Sequence, residues 1–163
     1  MPYSQRDAAG HVIVIDDDEA IRRSLYNVLT RAGYMVCMHA DADAFLSVQQ
    51  IPSPCVLLCD MRMPGRTGVE LQTELRARGF QMPIVFVSGD SRPDEIISAM
   101  KSGAVDFLLK PFSTKALMEA IRKAMQIAQK IVNDADRVSQ IQLRLQRLTP
   151  RELEVCYWMV RGY

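Results

Sequence analysis

The sequence contains no apolar run of the length that spans a bilayer, and Met1–Gly10 lacks the apolar core that a signal peptide needs. Both absences argue against membrane insertion and export, and the expectation is a cytoplasmic protein with no membrane partner. An excess of one charge is missing too: 20 Lys and Arg stand against 19 Asp and Glu, a formal net charge of +1. Bulk charge therefore gives no case for binding nucleic acid, so any DNA-related role must come from a local module. Cys37, Cys55, Cys59 and Cys156 have neither CxxC nor metal-ligand spacing. Three of them lie in apolar strand-like runs, where a free cysteine is ordinarily a small buried hydrophobe, and a reducing compartment fits. A glycine-rich phosphate cradle is also absent. The first strand-to-helix turn is Asp16-Asp17-Asp18-Glu19, which would repel a nucleotide or flavin phosphate.

What is present is ordinary in bulk and specific in pattern. The chain has 163 residues, 48% hydrophobic and 24% charged, enough for one domain with a real core and an appendage. From residue 11 to residue 128 short apolar runs alternate with amphipathic stretches. The runs His11–Ile15, Tyr34–His39, Cys55–Cys59, Ile84–Val87 and Asp106–Leu109 have strand character. Between them, Glu19–Ala32 carries Ile21, Leu25, Val28 and Leu29 on one face and is closed by Gly33. Asp41 caps a short helix with Ala44, Phe45 and Val48. Val69–Arg78 is a third helix, and Pro93, with Asp94 and Glu95 behind it, opens a fourth that stops near Gly103. Five such units with nearly continuous apolar strands predict an α/β, doubly wound, five-stranded parallel sheet.

From Ser113 no glycine or proline occurs until Pro150, so a long C-terminal helix is expected. Leu117, Ile121, Ala124, Ala128, Ile131, Ala135 and Val138 keep a 4-3-4-3-4-3 rhythm. The first part suits packing on the sheet; the rest suits a solvated linker or a seam shared with a second subunit. Thr149, Pro150 and Glu152 make a helix start with a capping box. The short apolar helix that follows cannot bury its own face.

Three carboxylates carry the chemistry. Asp16 and Asp17 stand at the carboxyl end of the first strand and Asp60 at that of the third, the edge where open α/β sheets bind ligands. If those strands are neighbours, the carboxylates converge and need a cation, and an all-oxygen acidic site suits Mg²⁺. Ser88 and Lys110, after the fourth and fifth strands, point a hydroxyl and an ammonium at the same edge. Together these groups are what phosphoryl transfer to a carboxylate requires.

The segments VIVIDDDEAIR, LLCDMRMPGRTGVEL, IVFVSGD and GAVDFLLKPF resemble the receiver domain of two-component response regulators, in order and spacing, over residues 11–128. The resemblance implies the flavodoxin-like receiver fold with strand order 2-1-3-4-5. It implies Asp60 as phosphoacceptor; Asp16, Asp17, Asp60 and the backbone carbonyl of Arg62 as Mg²⁺ ligands; Ser88 and Lys110 as phosphoryl contacts; and Ser88 with Phe107 as the switch. It also implies a cis Lys110–Pro111 bond and a sensor histidine kinase as partner. The chain would then take and lose its own phosphoryl group and would not be an enzyme turning over an external substrate. Arg62 and Asp90 are expected to rim the pocket, with an ion pair across its mouth.

Residues 148–163, LTPRELEVCYWMVRGY, resemble the opening of a LuxR-type helix-turn-helix domain. The expected organisation is a tail over 1–10, a receiver over 11–128, a linker helix over 129–147 and the truncated start of the helix-turn-helix domain over 148–163. The recognition helix that would enter the major groove does not follow, so DNA is a partner only of the full-length protein. Phosphorylation would make a homodimer, through the face formed by residues 93–109 or through the linker helix. The alternative is a stand-alone receiver acting as a phosphorelay intermediate or sink. A phosphatase-like hydrolase with an aspartyl-phosphate fits less well, because such enzymes want a second acid two residues after the nucleophile, where this chain has Arg62.

Overall fold

A computed structural model of the chain describes residues 9–162, so most of the expected tail over 1–10 lies outside the described residues. Five apolar runs form strands: β1 (His11–Ile15), β2 (Met35–His39), β3 (Cys55–Asp60), β4 (Ile84–Ser88) and β5 (Asp106–Leu109). They alternate with α1 (Glu19–Arg31), α2 (Ala42–Leu46), α3 (Gly68–Ala77), α4 (Pro93–Lys101), α5 (Thr114–Gln146) and α6 (Pro150–Val160). The sheet has the order β2-β1-β3-β4-β5, and every pairing is parallel.

Alternation along the strands sorts the core into two layers. Val12, Val14, Val56, Leu58, Val85 and Val87 pack with Leu25 and Leu29 of α1 and with Leu117, Ile121 and Ala124 of α5. Ile13, Ile15, Leu57, Cys59, Ile84 and Phe86 face Phe45 of α2, Leu71 and Leu75 of α3 and Ala99 of α4. Each fully buried Leu or Ile contributes about 1.5–3 kcal/mol by leaving water. Helices thus cover both faces, and the carboxyl edge of the sheet stays open.

β2 departs from the expectation of a buried apolar strand. It lies at the edge, and Met35, Cys37 and Met38 are exposed. An edge strand has a neighbour on one side only, and the five-residue α2 leaves much of it bare. The expectation of a buried cysteine therefore holds for Cys55 and Cys59 but not for Cys37.

The chain divides into two compact units with the boundary between Gln129 and Lys130. In the first, the apolar stripe of α5 is buried as far as Ala128. In the second, Val138, Ile141 and Leu145 are exposed. There α6 begins as its sequence dictates, with Thr149 Oγ1 accepting from the Glu152 N–H and Glu152 Oε2 accepting from the Thr149 N–H. None of the α6 residues is buried. Among the described residues no helix is long and apolar enough to cross a membrane.

Candidate functional site

Register brings the acidic residues together. Ile15 of β1 is paired with Cys59 of β3, so the next residue on each chain, Asp16 and Asp60, falls level at the carboxyl edge. Asp16 is 2% exposed and Asp60 7%, while Asp17 is exposed. One ligand oxygen from each of Asp16, Asp17 and Asp60 lies within 4.8 Å of the others. Local hydrogen bonds set their aim. The Asp18 N–H donates to Asp16 Oδ1 (2.9 Å), and the Arg22 guanidinium donates to the Asp16 carbonyl (2.6 Å). Asp18 itself caps α1, accepting from the Ala20 and Ile21 N–H groups.

On the other side of the cluster, the Lys110 ammonium donates to Asp16 Oδ2 at 2.9 Å and to Asp60 Oδ2 at 3.0 Å. The Lys110–Pro111 bond is cis, as is Ser53–Pro54, which the sequence did not announce. The Lys110 N–H donates to the Ser88 carbonyl (2.9 Å), tying the ends of β4 and β5. Ser88 is buried, and its Oγ accepts from the Asp90 N–H at 3.3 Å. The Arg62 N–H donates to Asp60 Oδ1 at 2.9 Å, so the Arg62 peptide stands beside the carboxylate. Phe107 is half-buried and packs in the layer that contains Phe86, its partner in the β4–β5 register.

Electrostatics follow from this packing. Burial pushes the Asp60 carboxyl above its ordinary range; bonds from the Arg62 N–H and Lys110 pull the other way, and the nearby Asp16 charge adds to the rise. Burial also disfavours the charged Lys110, but its bonds to Asp16 and Asp60 outweigh that and hold the ammonium above its usual value. Three carboxylates therefore share one ammonium, an uncompensated negative charge at an open edge. A hard divalent cation fits that donor set, with Asp16, Asp17 and Asp60 as its oxygen ligands.

One expected arrangement is replaced. Arg62 does not pair with Asp90; its guanidinium donates to Glu95 Oε2 at 2.9 Å and Oε1 at 3.2 Å, on the first turn of α4. Asp90 is exposed and joins the site through its backbone N–H instead. Glu95 lies 33 residues from Arg62, so nothing in local spacing could have pointed to it.

Two other features that shape the site had a sequence signal. The Thr67-x-x-Glu70 spacing is a capping box, formed with bonds of 3.2 and 2.7 Å, and it starts α3 one residue before the expected Val69. Gly68 sits at that start, where a Cβ would come within 2.7 Å of the Asp60 carbonyl oxygen. Its N–H donates to the Met61 carbonyl (3.0 Å) and closes the loop back onto the end of β3.

Comparison with known proteins agrees with this geometry. The model of the response regulator receiver domain matches residues 12–122. Response regulator protein TodT of Pseudomonas putida is 35% identical over 158 residues, which cover 96% of this chain and 69% of that protein. Transcriptional regulatory protein FixJ of Rhizobium meliloti is 38% identical over 151 residues, covering 93% of this chain and 74% of its own. Among solved structures, the response regulator StyR superposes with a TM-score of 0.84 at 36% identity, covering 94% of this chain and 78% of that one.

Proposed function

Because the chain belongs to the response regulator receiver domain family, we propose that Asp60 accepts a phosphoryl group from a sensor histidine kinase and that this modification controls transcription. The observation that carries the reading is the convergence of Asp16, Asp17, Asp60 and Lys110 at one sheet edge, with Lys110 bridging two of the carboxylates. An Asp60 oxygen attacks the phosphorus of phosphohistidine, an O–P bond forms, and the P–N bond breaks with its electron pair returning to the imidazole. Lys110 offsets the negative charge gathered on the transferred group, which is where catalysis of such a transfer chiefly lies. Ser88 donates its hydroxyl to a phosphoryl oxygen. Asp16, Asp17, Asp60 and the Arg62 carbonyl would hold Mg²⁺, which when bound supplies further positive charge to the phosphoryl oxygens. The Arg62 N–H keeps the Asp60 carboxylate oriented.

Phosphorylation shifts an existing equilibrium between two forms of the domain. The shift is limited by the difference in phosphoryl affinity between them. Ser88 moves toward the phosphoryl group, Phe107 turns into the space it leaves, and the face of α4 and β5 is reshaped. Ile97, Met100 and Leu109 are already exposed there and suit pairing with a second copy; the exposed stripe of α5 is the other candidate seam. The name of the similar FixJ, a transcriptional regulatory protein, and the helix-turn-helix resemblance of residues 148–163 support a LuxR-type DNA output over a phosphate sink. The working compartment is the cytoplasm, and the chain performs no turnover on an external substrate.

The test is intact-protein mass after incubation with Mg²⁺ and acetyl phosphate, beside D60N. A Mg²⁺-dependent phosphoryl adduct absent from D60N is expected. No adduct on folded wild-type protein would refute the reading.

A further inference from the structure

Arg62 is bonded in two directions. Its backbone N–H holds Asp60 Oδ1, and its guanidinium grips both oxygens of Glu95. Glu95 in turn accepts from the Arg92 N–H (3.0 Å) at the entrance of α4. A continuous chain of contacts thus runs from the Asp60 carboxylate to the N-terminal end of α4. The far end of α4 is fixed separately, since the Ser102 carbonyl accepts from Gln72 (3.2 Å) and from the Arg76 guanidinium, both on α3.

Between those ends α4 is thinly held. Ala99 is its buried residue, while Ile97 and Met100 face solvent. A cleft of about 360 Å³ separates one flank of α4, at Asp94, Glu95 and Ser98, from Met61, Arg62 and Val69. A helix pinned at its C-terminal end by α3, and held at the other by the Arg62–Glu95 ion pair and a weak contact from the Ser91 hydroxyl to the Met61 sulfur, can pivot.

We propose that the Arg62–Glu95 ion pair is a latch that holds the N-terminal end of α4 to the loop after Asp60, and that phosphorylation opens it by drawing the Arg62 guanidinium to the phosphoryl oxygens. The opening step rests on Asp60 being the phosphoacceptor; the latch itself does not. The exchange is favourable because a phosphoryl group carries nearly two negative charges and three acceptor oxygens, and guanidinium binds such groups in bidentate fashion. Arg62 is already anchored beside the acceptor, so little ordering is lost. The pair is weak enough to give way: the Arg62 side chain is 52% exposed and that of Glu95 29%. Glu95 is a positioning residue in this scheme, acting on α4 through Arg62.

The experiment is hydrogen–deuterium exchange of the whole chain over 93–101, with intact mass recorded on the same samples. The comparison is between wild type and E95Q, each before and after Mg²⁺ and acetyl phosphate. Glutamine keeps an oxygen for the Arg92 N–H but loses a charge that the start of α4 also favours. R62Q leaves Glu95 and the cap intact, so it is the second probe of the same contact. In unmodified protein E95Q should exchange about two- to fivefold faster than wild type from Ile96 onward, the size expected of a half-exposed pair. R62Q alone should speed exchange to a similar extent, and R62Q/E95Q should be no faster than either single variant, because both act on one contact. Phosphorylated wild type should match unmodified E95Q, and phosphorylation should add nothing further to E95Q. Wild-type exchange in either unmodified E95Q or unmodified R62Q would overturn the latch. Unchanged exchange in wild type that carries the adduct would overturn its release. If no adduct forms, the mass record assigns the failure to the phosphoacceptor reading, and the release falls with it.

Discussion

The ammonium of Lys110 lies 3.0 Å from Oδ2 of Asp60, although the two residues are 50 positions apart and Lys110 follows β5, a strand that does not pair with β3. The parallel sheet makes the contact, because it delivers the ends of β3 and β5 to one edge. Replacing Lys110 with alanine removes the ammonium bonded to Asp60. Transfer from acetyl phosphate to Asp60 should slow by about 10²-fold, the usual cost of deleting one preorganised charge-stabilising group. Single-turnover labelling measures it, and K110R should recover part of the loss by keeping the charge.

Asp60 is held at a cost to the fold. Its carboxyl sits above the ordinary value of 3.8, chiefly through burial, so the ionised form is the one that folding penalises. The penalty is absent below the ordinary value, grows as pH rises through the shifted one, and is complete at neutral pH. D60N should therefore melt a few degrees higher than wild type at pH 7 without divalent cations, equivalent to about 1 kcal/mol. The two melting curves should converge as pH falls to about 4. Thermal denaturation followed by circular dichroism across that range decides it.

G68A places a methyl group within 2.7 Å of the Asp60 carbonyl and 2.9 Å of the Phe86 ring. Because the obstacles include backbone, the loop must move. A loss of about 1–3 kcal/mol in urea denaturation is expected, as for other overpacked sites. Slower phosphorylation should accompany it, since the same loop carries the Arg62 N–H.

The four cysteines should separate by reactivity. Cys37 is exposed on the edge strand, and Cys156 is half-buried. Burial raises the Cys55 thiol to about 11, and it raises Cys59 further, with the Asp60 and Asp16 charges adding to the rise. Thiolate is the reactive form, so at pH 7.5 iodoacetamide should label Cys37 and Cys156 in the folded protein and reach Cys55 and Cys59 only after denaturation. Peptide mapping of the labelled sites measures this.

The strand order came from the receiver resemblance. The sheet edge that carries the carboxylates could be anticipated because Asp16, Asp60, Ser88 and Lys110 each directly follow an apolar run, and a parallel sheet aligns the ends of such runs. Asp16 after HVIVI and Asp60 after CVLLC both obey that logic. Exposure along β2 was not legible from composition: its residues are those of a buried strand, and Cys37 is bared by the edge position that the resemblance alone implied. Long-range side-chain choice was not legible either. Spacing along the chain suggested Asp90 for Arg62, and Glu95 takes it because the first turn of α4 presents a carboxylate to the loop. The capping box at Thr67 and Glu70 was readable from spacing alone and would have placed the start of α3 correctly.

If Asp60 is the phosphoacceptor, the acyl phosphate sits on one side chain and can be located chemically. After incubation with Mg²⁺ and acetyl phosphate, borohydride reduces an aspartyl phosphate to homoserine, which peptide sequencing assigns to a position. Homoserine at position 60 and at no other aspartate is the expected result. Homoserine at Asp16 or Asp17, or none in a folded protein, would contradict the assignment of Asp60 as the acceptor.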